Sequence, residues 1–163
     1  MKKQALFING VYDSVLKEIL LVQADLPDQI LFLQPYKNAA MRELRDNPPS
    51  VEDPMRLYVS LTDDLPTVRY TAEIVGWEDK RQLSNSKRGV LNRLIAALQP
   101  SETGLDNAAT GQGTDGINLL YIRRLQSIPT PFPVSRLIKI NDEIPLSENR
   151  TRSGGWSYVQ PIA

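Results

Sequence analysis

Nine consecutive residues near the C-terminus, Arg150-Thr151-Arg152-Ser153-Gly154-Gly155-Trp156-Ser157-Tyr158, combine two guanidinium groups, three aliphatic hydroxyls, a glycine pair and two large aromatic rings. Arginine neutralises phosphate and can grip it with two parallel hydrogen bonds. Glycine lets backbone come close to a ligand and supplies positive φ. Aromatic rings stack on bases at about 1–3 kcal/mol per base. These are the parts of a nucleobase reader. The same stretch also reads as a loop entering a last strand, with Trp156 and Tyr158 as core.

The absences narrow the chemistry further. Among 163 residues there is no cysteine and no histidine. That excludes disulfides, a thiolate nucleophile, sulfur-rich zinc sites, and Ser-His or Cys-His catalysis. Carboxylates remain, but Asp63/Asp64, Glu78/Asp79 and Asp142/Glu143 are sequence neighbours. Neighbours on a strand point to opposite faces, which makes a poor metal site. The expectation is a protein that is not an enzyme and holds no cofactor or metal; any nuclease activity would lie in a separate domain. The 19 basic and 19 acidic residues cancel, which argues against strong non-specific phosphate binding. Acidic residues gather between Asp13 and Asp64, whereas Lys80, Arg81, Lys87, Arg88, Arg93, Arg123, Arg124, Arg136, Lys139, Arg150 and Arg152 come later. A basic face on a neutral protein suits a partner read partly by shape or base chemistry; the plain alternative is solvated surface charge. Apolar stretches are too short to span a bilayer and no secretory signal pattern is present, so a cytoplasmic location and no membrane partner are expected.

The elements that must position these residues follow from periodicity. Gln4–Asn9 reads as a strand broken by Gly10. Val11–Ala24 carries apolar residues at helical spacing and ends near Pro27. Gln29–Gln34 reads as a buried strand, and Tyr36–Asp46 as a helix stopped by Pro48 and Pro49. Met55–Leu61 and Thr67–Trp77 alternate as strands and pair through a turn at Asp63, Asp64 and Pro66. Ser84–Gln99 is a third helix. Residues 100–116, with Gly104, Gly111, Gly113 and Gly116, read as a mobile Gly-rich loop whose spacing fits neither a P-loop nor a dinucleotide fingerprint. Ile117–Leu125 is a strand, Pro129, Pro131 and Pro133 mark an extended linker, Val134–Ile140 is an apolar segment of open type, and Trp156–Gln160 is a last strand. The result is one α+β domain over residues 1–163: a small, mostly antiparallel β-barrel of five or six strands decorated by about three helices.

Three stretches carry a family likeness. Tyr36-Lys37-Asn38-Ala39-Ala40-Met41-Arg42-Glu43-Leu44-Arg45, then Arg56-Leu57-Tyr58-Val59-Ser60, then Thr71-Ala72-Glu73-Ile74-Val75-Gly76, in that order over roughly residues 29–80, resemble the EVE group of the PUA-like superfamily, close to YTH domains. The chain departs from EVE patterns in lacking the N-terminal Trp and Lys-Glu-Pro signature, in having Asp-Asp at the hairpin turn, and in the Gly-rich insertion. The resemblance implies a PUA-like barrel and a reader of nucleic acid, modified DNA ahead of RNA. Such a domain holds a flipped modified base, here expected to be modified cytosine such as 5-methylcytosine, in an aromatic pocket. In bacteria such domains serve as the specificity part of modification-dependent restriction systems, linked to or partnered with a nuclease.

Combined with the residue chemistry, the expected base pocket is Tyr36, Asn38, Ser60, Trp77, Ser153 and Trp156. The expected phosphate contacts are Lys37, Arg81, Arg123, Arg124, Arg150 and Arg152. The alternative is a non-catalytic protein-interaction or small-molecule-binding module on the same barrel, which a filled barrel with both tryptophans buried would favour.

Overall fold

The computed structural model describes residues 4–25, 28, 30–33, 41–79, 82–87, 89–90, 118–151 and 155–162. The elements are β1 (Ala5–Val11), α1 (Asp13–Asp25), β2 (Leu31–Leu33), α2 (Met41–Asp46), β3 (Met55–Leu61), β4 (Asp64–Asp79), β5 (Asn118–Pro133), a 3-10 turn (Val134–Arg136) and β6 (Trp156–Val159). The Gly-rich stretch 100–116 lies outside the described residues, as does most of the expected helix 84–99, of which residues 85–87 and 89–90 are helical.

Six strands form one mixed sheet in the order β2-β5-β4-β3-β1-β6. Four of its pairings are antiparallel, and β1 with β3 is the parallel one. A parallel neighbour needs a long crossover, and α1, β2 and α2 supply it. At the far end, Phe132 pairs with Val68 of β4 while Lys139 bridges to Val159 of β6. The short segment between them therefore reaches both sides, which curls the sheet into a half-barrel. The α+β, barrel-like class expected from the element order is what the chain adopts.

The strand pleat sorts side chains into two cores. Leu6, Ile8, Leu57, Val59, Ala72, Ile74, Leu120 and Ile122 face Val15, Leu16 and Ile19 of α1. Ala5, Phe7, Tyr58, Val68 and Val159 face Val134, Leu137 and Leu146. With both faces covered, β1 is buried along its whole length, so its sequence is an apolar run and not an alternation. Each fully buried Leu, Ile or Phe adds roughly 1.5–3 kcal/mol. Helix α1 starts with Asp13, whose carboxylate complements the helix dipole and pairs with Lys17 one turn on at 2.7 Å.

Several element boundaries differ from the sequence reading: β4 begins at Asp64 and takes in Pro66, expected in the turn, and α1 begins at Asp13, not Val11. The extended segment with Pro129, Pro131 and Pro133 is the end of β5, not a linker. Proline is tolerated where its missing N–H faces no partner, and here the ladder from Tyr70–Ser127 to Val68–Phe132 skips Pro129 and Pro131 as a bulge. Gly10 lies inside β1; with φ 88° it sits in the register irregularity between Ile8 and Val11 and bends the strand.

Candidate functional site

The arginine-rich run enters the sheet at Gly155. This residue has φ +88° and open space where a Cβ would stand. Its carbonyl accepts a hydrogen bond from the Asn9 backbone N–H at 3.1 Å, so the turn is pinned to the β1 bulge. Trp156 follows, opposite Ile8. Its ring packs in the helix-side core, and the residue is 9% exposed. On the far side of the bulge, the Gly10 N–H donates to Ser60 Oγ at 3.0 Å. Ser60 is fully buried and Asn9 nearly so. Bulges that gather buried polar groups commonly sit beside functional sites.

Ser60 and Trp156 are therefore close in register but separated by the pleat. Tyr58 and Ser60 share the face opposite the helix, while Val59, Leu61 and Trp156 belong to the helix side. Trp77 is farther away. It stands opposite Leu120 on β4, seven residues beyond Tyr70, the β4 residue level with Val59. At about 3.3 Å per residue that is about 23 Å along the strand. Trp77 packs against the helix-side core. The two tryptophans thus occupy opposite ends of the sheet and do not flank one ligand. Tyr36, Asn38 and Ser153 of the expected pocket, and Lys37, Arg81 and Arg152 of the expected phosphate contacts, lie outside the described residues.

The described arginines of the expected interface fall into two kinds. Arg123 donates to Glu73 at 2.8 Å and to the Val51 carbonyl at 3.2 Å. Arg124 pairs with Asp28 at 2.9 Å and with Glu73 at 3.4 Å. Burial alone would push the Glu73 carboxyl up, but the hydrogen bond and charge of Arg123, with Arg124 and Arg56, hold it below its ordinary 4.5. Arg124 takes φ 54°, a cost accepted because the buried Gln23 carboxamide then meets both backbone groups of the next residue. Its Nε2 donates to the Leu125 carbonyl at 2.8 Å and its Oε1 accepts from the Leu125 N–H at 2.9 Å.

Arg150 is different. Its Nε donates to the Ser147 carbonyl at 2.7 Å, its guanidinium lies 5.2 Å from the Phe7 ring centroid, and burial pushes its pKa down. Among the described residues no carboxylate forms an ion pair with it. Arg136 is the same kind of cation, 4.9 Å from the Phe132 ring. Sequence reasoning counted Arg136 among the later cations without assigning it a role; nothing in its spacing marks the aromatic support. Asn9 and Gln23 were also passed over, because a polar residue in an apolar run looks like any strand or helix position until its partners are known.

A polar hollow of about 490 Å³ lies at the β3–β4 turn, lined by Asp13, Lys17, Asp63, Asp64, Arg69 and Tyr70. Two pairs form there, Lys17 with Asp13 and Arg69 with Asp64 at 2.6 Å, and Asp63 adds one further acidic group. Among the described residues no group of three or more potential metal-ligating side chains comes together, and no helix is long and apolar enough to cross a membrane. No protein-family model, curated protein or solved structure matches this chain.

Proposed function

We propose that the chain is a non-catalytic nucleic-acid-binding module that reads a flipped, modified base, with modified cytosine in DNA as the favoured target. The observation that supports it is the corner around Gly155: a guanidinium at Arg150 that forms no ion pair among the described residues, and a glycine with open space where a Cβ would stand, followed at once by Trp156. No acidic residue follows Glu148 in the sequence, so nothing in that stretch repels phosphate. Extruding a base costs a few kcal/mol. An edge-to-face contact with an indole returns roughly 0.5–1.5 kcal/mol beyond area burial, and burying one methyl about 0.8 kcal/mol. Preference for a methylated over an unmodified base is therefore a few-fold to tenfold unless the pocket clashes with the competitor. Tyr36, Asn38 and Ser153, outside the described residues, stay in this reading as expectations from the sequence. A nuclease, if one acts with this module, is a linked or partner domain.

Tryptophan fluorescence tests it. With Trp77→Phe, Trp156 is the remaining reporter. Titration with a duplex bearing 5-methylcytosine should quench or shift its emission more strongly than the unmodified duplex does. Binding with no change in Trp156 emission places the base elsewhere; no binding of DNA or RNA at low salt overturns the reading.

A second reading has its own observation. Trp156 and Trp77 both pack against the helix-side core, the arrangement of a filled barrel. In a protein-interaction or small-molecule-binding module, removing either ring affects folding, and neither the parent nor the variants bind nucleic acid.

A further inference from the structure

Arg136 and Arg150 are 14 residues apart in sequence, yet one row of rings joins them. Arg150 lies over Phe7. Phe7 is the register partner of Tyr58. Tyr58 meets Phe132 edge to face, with centroids 6.2 Å apart, and Arg136 lies over Phe132. All three rings belong to the core opposite the helices. The Tyr58 hydroxyl is held in place by the Ile162 N–H, which donates to it at 2.9 Å. Lys139 bridges to Val159, and cross-strand partners share a face, so a third cation stands on the same side. None of the three forms an ion pair among the described residues, whereas Lys17, Arg69, Lys87, Arg123 and Arg124 all do.

We propose that this face is a phosphate track: Arg136, Lys139 and Arg150, seated on or beside the Phe7–Tyr58–Phe132 row, carry the sugar-phosphate backbone of the nucleic acid whose base is read at the Gly155 corner. The inference rests on the reading above and adds to it a second face and two residues, Arg136 and Lys139. The physical argument is one of spare capacity. A guanidinium lying on a ring keeps its orientation without an acid, and its outer N–H donors remain available. A cation held in place without a counter-ion is matched by a phosphate oxygen. The strand order supports continuity with the corner. Phe7 stands opposite Ser157, and Ile8 opposite Trp156, so Arg150 is about one residue step from Trp156, on the other face. Gly155, with open space where a Cβ would stand, immediately precedes Trp156 and gives a base from the arginine side a route to the indole.

The test uses the full chain, a short labelled DNA duplex with one 5-methylcytosine, its unmodified counterpart, and a salt series. Arg136→Gln and Arg150→Gln should each lower affinity for both duplexes alike, about five- to tenfold at about 0.1 M salt, and flatten the log–log salt slope by about one unit. Arg136→Lys and Arg150→Lys keep the charge and should restore most of the slope. Arg69→Gln, whose cation is already matched by Asp64, should change neither. If the parent binds DNA and the Gln variants bind within twofold of it with an unchanged slope, the track is wrong while the base reading stands. If heparin binding falls in these variants and DNA binding does not, the face serves another polyanion and the proposal fails. If the parent binds no nucleic acid, both proposal and reading fail. Unfolding midpoints of all variants separate lost contacts from lost fold.

Discussion

Two pairs of arginines divide this molecule. Arg123 and Arg124 share Glu73 with their neighbours across β4 and β5, with only 14% and 15% of the Arg123 and Glu73 side chains exposed. Arg136 and Arg150 sit on phenylalanine rings and form no ion pair among the described residues. In sequence all four look alike: arginines in the C-terminal half of the chain. The sheet tells them apart. Where a strand places an acid directly opposite, as β4 places Glu73 opposite Arg123, the cation is consumed in holding two strands together. Where the chain instead offers a ring, the cation is fixed and its charge remains unspent. Counting arginines thus overstates an interface; subtracting those with cross-strand acids gives the usable charge.

The largest effect that bears on this contrast is at the corner. Trp156→Ala removes a ring that is 9% exposed and packed in the helix-side core. Urea or thermal unfolding should show a loss of about 3–5 kcal/mol. A loss of that size shows the ring anchoring the corner to the core, and a loss below about 1 kcal/mol would show that it does not.

The next is Glu73→Gln. Arg123 would lose its partner while remaining mostly buried, and a hydrogen bond to a charged group is worth about 1.5–3 kcal/mol. The pH dependence follows from the direction of the shift. The folded carboxyl lies below its ordinary 4.5, so its stabilisation is complete above that pH and fades as pH falls through the lower folded value. The parent should therefore lose stability on acidification through this range, and Glu73→Gln should lack that component. An equal acid slope in parent and variant would show that Glu73 is not holding the strands, and the division between the two arginine pairs would collapse.

Much of the scaffold was readable from the chain, and the reason is local. In β4, Val68, Tyr70, Ala72 and Ile74 alternate with polar residues because one face is packed and the other partly wet. In α1, Val15, Leu16 and Ile19 recur at helical spacing because one side lies on the sheet. What stayed hidden is non-local. Pro129, Pro131 and Pro133 read as a linker, since the residues that let a strand carry prolines are on another strand. The parallel pairing of β1 with β3 joins residues about fifty positions apart and leaves no trace in either segment. In the run from Arg150 to Tyr158, Gly155 leads directly into Trp156 at the start of β6, while Arg150 lies over Phe7 on the other face of the sheet. The face each side chain takes depends on the strand pleat, and that separates Ser60 from Trp156 and sends Trp77 to the other end of the sheet.

The smallest expected effect is the most discriminating. Arg150→Gln should cost the fold little, about 0.5–1 kcal/mol, the worth of a cation over a ring at a partly exposed position. The hydrogen bond to the Ser147 carbonyl can be replaced by the amide. Arg123→Gln, by contrast, leaves Glu73 half-matched and should cost about 1.5–3 kcal/mol. Unfolding midpoints of the two variants measured side by side therefore order the arginines by structural duty, and nucleic acid affinity should order them the opposite way. If Arg150→Gln destabilises as much as Arg123→Gln, its cation–ring contact is a structural clamp like the ion pair, and the charge that looked unspent is already in use.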